Sequence, residues 1–157
     1  MHSKIITLAA GAATSFALAL PAAAAPVRAI DLPPPADLKY AIVAQQKGLT
    51  LDGESTVKWR VDEGRYTLHN ESRASILGKI LENRSEGSID GHGIAPAKFY
   101  EKRFRKDPYT VTFDRASNAI SFTEGKLTYP IKGGEQDRAS VPWQLAAMAR
   151  GAPAKFA

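Results

Sequence analysis

Ser55–Ser72 reads STVKWRVDEGRYTLHNES, and the fold class turns on this stretch. Val57, Trp59 and Val61 alternate with Thr56, Lys58 and Arg60, the two-residue period of a strand with one face buried. Asp62-Glu63-Gly64 supplies a tight turn, because glycine tolerates the positive φ that such turns need. Beyond it, in Arg65–Ser72, Tyr66 and Leu68 point one way and Thr67 and His69 the other. The stretch therefore predicts an antiparallel hairpin.

Outward from this hairpin the same grammar repeats. Leu38–Gln46 reads as a strand before it, and Ile76–Leu81 and Ser85–Ile89 as two strands after it. A glycine-rich loop, Asp90-Gly91-His92-Gly93, ends at Pro96. Lys98–Lys106 reads as a long charged strand, and Val111–Phe113, Ala119–Phe122 and Leu127–Ile131 follow, separated by Ser117-Asn118 and Glu124-Gly125. Only the end turns helical. Ser140 is placed to cap, Pro142 fits a first turn, and Val141, Leu145, Met148 and Ala149 share a face before Gly151 and Pro153 stop the helix. The expected class is mainly β: an antiparallel sheet of about eight strands with one C-terminal helix.

The N-terminus carries an address. Lys4 is a positive n-region, Ile5–Leu20 an uncharged apolar segment, and Ala22-Ala23-Ala24 a cleavage triplet behind Pro21, so residues 1–24 read as a signal peptide and the mature chain starts at Ala25. This address implies a periplasmic protein. Residues 25–37, with Pro26 and Pro33-Pro34-Pro35, form an extended, proline-rich lead-in, and 38–157 a single domain. No cysteine is present, which excludes disulfides, lipid attachment at cysteine and thiolate metal sites. Of 21 Lys and Arg only Lys4 lies in the first 24 residues, and none of the 16 Asp and Glu does, so residues 25–157 carry a net charge of +4. That is a solubilising surface with a modest preference for anionic neighbours.

Catalytic patterns are sparse. His69 and His92 are the histidines of the mature chain, and neither stands at zinc-ligand spacing. His69 sits on a polar strand face, where a solvated imidazole is the ordinary reading. His92 lies near Glu86 and Asp90 in the glycine loop, which admits an acid–base site but is more simply a turn. No G-x-S-x-G elbow and no phosphate loop occurs. Lys98, Tyr100, Lys102, Phe104 and Lys106 share a face, a basic and aromatic ladder of the kind that binds single-stranded nucleic acid. Export argues against that partner, and the ladder is read as lysines guarding a sheet edge.

Several short blocks, in order, resemble one family. Leu32-Pro33-Pro34 with Leu38-Lys39-Tyr40 opens the series. Ser85-Glu86-Gly87 follows, then Gly93-Ile94-Ala95-Pro96 with Phe99, then Phe113-Asp114. Gln136-Asp137-Arg138-Ala139-Ser140 with Gln144-Leu145-Ala146 closes it. Together they are similar to the DUF3108 family of exported proteins of Gram-negative bacteria. The resemblance implies a periplasmic protein without established activity, whose curved antiparallel sheet folds around a helix like half of a lipoprotein-carrier-like open barrel. It also implies a C-terminally shortened member, since the family continues past the Gln-Asp-Arg block with further strands. Its motif residues Ser85, Glu86, Gly87, Pro96, Asp114, Gln136, Asp137, Arg138 and Ser140 are read as structural. Asp137 adds negative charge at the helix N-terminus, Arg138 pairs with a carboxylate on the sheet, and Gly87 marks a bulge.

The functional expectation is a non-enzymatic envelope protein, with no cofactor, no metal and no nucleic-acid partner. It binds an apolar or lipid-like ligand through Trp59, Tyr66, Phe113, Phe122 and Trp143. The rival is a hydrolase of envelope glycan or lipid acting through Glu86, Asp90, His92 and Asp137, which requires at least two of these groups to converge. A third reading is a truncated relative without activity.

Overall fold

The computed structural model describes residues 29–46 and 48–152. Residues 1–24, where the sequence predicts a signal peptide, the start of the lead-in and Pro153 lie outside the described residues.

Eight strands form one antiparallel sheet in simple up-and-down order: β1 (Ala36–Gln46), β2 (Leu49–Asp62), β3 (Arg65–Ala74), β4 (Gly78–Asp90), β5 (Gly93–Arg103), β6 (Tyr109–Asp114), β7 (Ala119–Phe122) and β8 (Tyr129–Pro130). A single helix among the described residues, α1 (Val141–Gly151), follows. The protein is thus mainly β, a curved sheet with one C-terminal helix. Among the described residues β1 and β8 each pair on one side only, so the sheet is open.

The hairpin of β2 and β3 turns through Glu63 (φ +46°) and Gly64 (φ +73°), the two positive values of a type I′ turn. Its alternation sets the inner face. Trp59, Leu68, Ser85, Phe99 and Val111 stand opposite one another across β2 to β6 and form the central rank of the core. Trp59 is fully buried, stacks on Trp143 with ring centroids 4.6 Å apart, and donates its indole N–H to the Pro33 carbonyl at 2.9 Å. The lead-in is consequently part of the packing rather than a spacer, and the backbone N–H of Asp31 also bonds the Ala147 carbonyl of α1 at 3.0 Å.

Four expectations are corrected. The expected strands Ile76–Leu81 and Ser85–Ile89 merge into one 13-residue strand that begins only at Gly78 and leaves Ile76 and Leu77 in the turn, because Gly78, at φ +70°, ends that turn and the ladder to β3 runs on without a break at Glu82–Arg84. The lysine-bearing strand is not an edge: β5 pairs with β4 and β6, and its lysines face solvent on the outer side of an interior strand. It ends at Arg103, leaving Phe104 and Lys106 in the following turn. The helix does not bury the face shared by Val141 and Leu145, which are 39% and 58% exposed. It packs instead through Gln144 and Ala147, whose neighbour Gly151 lies so close to the Ala29 carbonyl that a side chain there would collide with it. Small residues allow this approach, and branched ones would hold the helix off the lead-in.

Candidate functional site

The helix start is fixed from below by a buried chain of hydroxyls. Asp137, 6% exposed, accepts the backbone N–H groups of Ala139 and Ser140 at 2.8 and 2.9 Å, while the Ser140 hydroxyl accepts the Asp137 N–H at 3.0 Å. This is a reciprocal capping box in which Asp137 is the cap. Ser140, with helical φ and ψ, makes no cap bond of its own to the helix and so does not cap in the way its position suggests. The second Asp137 oxygen accepts the Ser85 hydroxyl at 2.5 Å, and Ser85 meets the Tyr66 hydroxyl at 2.7 Å. Because Ser85 spends its one proton on the carboxylate, Tyr66 is the donor to Ser85. Burial pushes the Asp137 carboxyl above the usual carboxylate range against the pull of these hydrogen bonds, and burial raises the Tyr66 phenol as well.

Other motif residues hold neighbouring pieces. At Gly87 the ladder to β5 shifts register, and a Cβ there would run into the Ala95 carbonyl, so a close backbone approach requires glycine. Pro96 offers its carbonyl to Arg115 at 2.7 Å, Asp114 closes the β6–β7 turn onto Ala116 and Ser117, and Gln136 donates to the Ile94 carbonyl at 2.5 Å. Arg138 reaches both oxygens of Glu101 at 2.9 and 3.0 Å, and Arg103 meets the same carboxylate at 2.6 Å. Glu101 is 1% exposed, so this double pairing is what makes its charge tolerable inside.

The four groups of the acid–base alternative do not gather. Glu86 lies on the outer face of β4 and Asp137 under the inner face, whereas Asp90 and His92 share the β4–β5 turn, where Asp90 accepts the His92 backbone N–H at 2.7 Å. Nor do the five aromatic candidates form one lining. Trp59 and Phe113 are packed in the core, Tyr66, also buried, borders a separate cavity beside Arg65, Glu86 and Gly87, Phe122 is half-buried at the far side of the core beside Tyr129, and Trp143 lines the groove between helix and sheet.

That groove, of about 540 Å³ between α1 and the inner face of β1 to β4, is within the range of small-molecule sites. One wall is Pro142, Trp143 and Ala146 of the helix, and the other is Leu38, Tyr40 and Val57 of the sheet. Leu38 and Tyr40 are 36% and 50% exposed. The floor changes character along one rank of the sheet, where Leu38, Val57, Asn70, Asn83 and Glu101 stand opposite one another on successive strands. Asn83 is 4% exposed, and the Oδ1 atoms of Asn70 and Asn83 have no hydrogen-bond partner among the described residues. The groove is therefore apolar toward β1 and polar toward β4, with Arg138 at the polar end.

Sequence reasoning missed Leu38, Tyr40, Asn70, Asn83 and Glu101. Parity alone carries a signal for the last, since Phe99 faces inward and Glu101 is two residues on. The asparagines become notable only when the register sets them side by side. The chain matches no family model, no curated protein and no solved structure.

Proposed function

We propose that this chain is an exported, periplasmic, non-enzymatic protein that holds a lipid-like ligand in the groove between α1 and β1 to β4, consistent with the exported family its short blocks resemble. The observation that carries the reading is an apolar wall left open to solvent, Leu38 and Tyr40 facing Trp143, above the buried Oδ1 atoms of Asn70 and Asn83, which accept from no donor among the described residues. A buried amide oxygen without a partner is costly unless something donates to it. An amphiphile answers both demands, its chain along Leu38 and Tyr40 and its hydroxyl- or amide-bearing head at the asparagines and Arg138.

Native mass spectrometry of protein purified gently from a periplasm tests this. A bound adduct of lipid mass is expected, and it should be lost in Leu38→Glu/Tyr40→Glu, whose exposed positions leave folding intact. A clean apo mass, together with no uptake of added lysophospholipid or fatty acid, would overturn the proposal.

A further inference from the structure

The up-and-down order divides the sheet's turns into two sets. The β2–β3, β4–β5 and β6–β7 turns lie at one end, and the β1–β2, β3–β4, β5–β6 and β7–β8 turns at the other. Their chemistry differs. The turns of the first end show Asp62, Glu63, Asp90 and Asp114 against Arg65 and Arg115, and among the described residues the exposed large apolar side chains near this end, Tyr129 on β8 and Val141 and Leu145 on α1, lie off the turn tips. At the second end, Ile76 and Leu77 cap the β3–β4 turn, Phe104 the β5–β6 turn and Leu127 the β7–β8 turn, with exposures of 76%, 44%, 40% and 71%. Bases accompany them: Arg105 and Lys106 follow Phe104, and Lys126 precedes Leu127, against the acids Asp107 and Glu124.

The β5–β6 tip is built, not merely exposed. The Phe104 N–H donates to the Ile80 carbonyl at 2.8 Å, Lys102 reaches the Lys106 carbonyl at 2.5 Å, and the Arg105 guanidinium lies 4.9 Å from the centre of the Phe104 ring. Phe104 and Arg105 are thus presented together, and strand spacing sets this tip roughly 10 Å from the Ile76–Leu77 tip of the adjacent hairpin. Apolar side chains on turn tips beside bases are the arrangement that enters a bilayer interface, the apolar groups below the head groups and the cations among their phosphates.

We infer that this end of the sheet docks on an anionic phospholipid surface, through Ile76, Leu77, Phe104 and Leu127 with Arg105, Lys106 and Lys126. The partner is a membrane rather than a protein because the apolar groups stand on separate tips, two of the three flanked by bases, instead of forming one continuous patch. Docking by this end would leave α1 on the side away from the bilayer, since Gln144 ties it to the opposite end of the sheet through His92 and Ile94. The inference rests on the tips and stands without the groove reading, because vesicle binding is read whether or not a ligand is carried.

Sedimentation with vesicles tests it. The purified protein should pellet with vesicles containing phosphatidylglycerol, weakly with phosphatidylcholine alone, and less as salt rises. Ile76→Ser/Phe104→Ser should weaken binding about tenfold at all salt concentrations, and Arg105→Glu/Lys106→Glu about tenfold with loss of the salt dependence. Arg65→Glu, at the opposite end, should change nothing. Absence of binding to anionic vesicles at low salt overturns the inference, as does binding that both tip variants retain or that Arg65→Glu weakens equally.

Discussion

Asp137 joins three things that a single side chain seldom joins: the helix cap, a bond to Ser85 on the central rank of the sheet, and through Ser85 the buried phenol of Tyr66. Removing a cap costs about 1 kcal/mol, and stranding the Ser85 and Tyr66 hydroxyls adds a similar or larger penalty. Asp137→Ala should therefore destabilise the protein by about 3 kcal/mol in urea unfolding. Asp137→Asn separates the roles. Its amide oxygen still caps, and Ser85 can turn its proton to Tyr66 and accept from the amide, so the loss should be about 1 kcal/mol. Equal losses for the two variants would show that charge, not the hydrogen-bond chain, is what matters at this site. Chemistry of this kind is readable in sequence only as Asp-Arg-Ala-Ser before an apolar run; that Asp137 and not Ser140 caps depends on where the sheet offers a hydroxyl.

At the scale of elements, the outer faces of β3 and β4 set Glu71 directly opposite Glu82, a pairing that repels unless bases intervene. Lys79 bridges both carboxylates at 2.9 Å, Arg73 meets Glu71 at 3.0 Å and Arg84 meets Glu82 at 2.6 Å. Chiefly through Lys79, with Arg84 assisting, the Glu82 carboxyl is lowered from 4.5 to about 2. A carboxylate lowered on folding contributes stability that is complete above its unfolded value and is lost as pH falls through the folded one. The shift corresponds to at most about 3 kcal/mol, and solvent screening of the exposed Lys79 and Arg84 reduces this to about 1 kcal/mol. Asp137, raised by burial, acts with the opposite sign and gains on protonation. Glu82→Gln should accordingly flatten the loss of stability between pH 4.5 and 2, followed by thermal melts, while leaving stability at pH 2 unchanged. Strands of this sort were legible because Val57, Trp59, Tyr66 and Leu68 alternate without interruption. The join of Ile76–Leu81 to Ser85–Ile89 was not, since Glu82, Asn83 and Arg84 look like a turn until Asn83 is found facing inward.

Across the whole molecule, what the sequence conceals is which strand has neighbours. Lysines on Lys98–Lys106 invite an edge reading, but hairpin follows hairpin for three more strands, and the edges fall instead at β1 and β8. The β8 edge is two residues long and ends in Pro130, which offers no N–H, so it is a poor template for pairing. The β1 edge is 11 residues long, and its protection lies in side chains: Asp37 holds Arg60 at 2.7 Å and Lys39 holds Glu54 at 2.8 Å. The groove was hidden for the same reason, because Leu38 and Tyr40 become a wall only once β1 is known to stand at the rim. Charge removal on the two strands should then have unequal effects. Asp37→Val/Lys39→Val exposes a long, apolar strand with unpaired backbone groups and should produce concentration-dependent dimers or larger species in analytical ultracentrifugation. Lys98→Val/Lys102→Val makes as large a change in surface polarity, but its backbone is already bonded on both sides at Lys98 and should leave the protein's association state as it was. If the β5 variant associates as readily as the β1 variant, apolar surface alone drives assembly and the open edge of β1 plays no part.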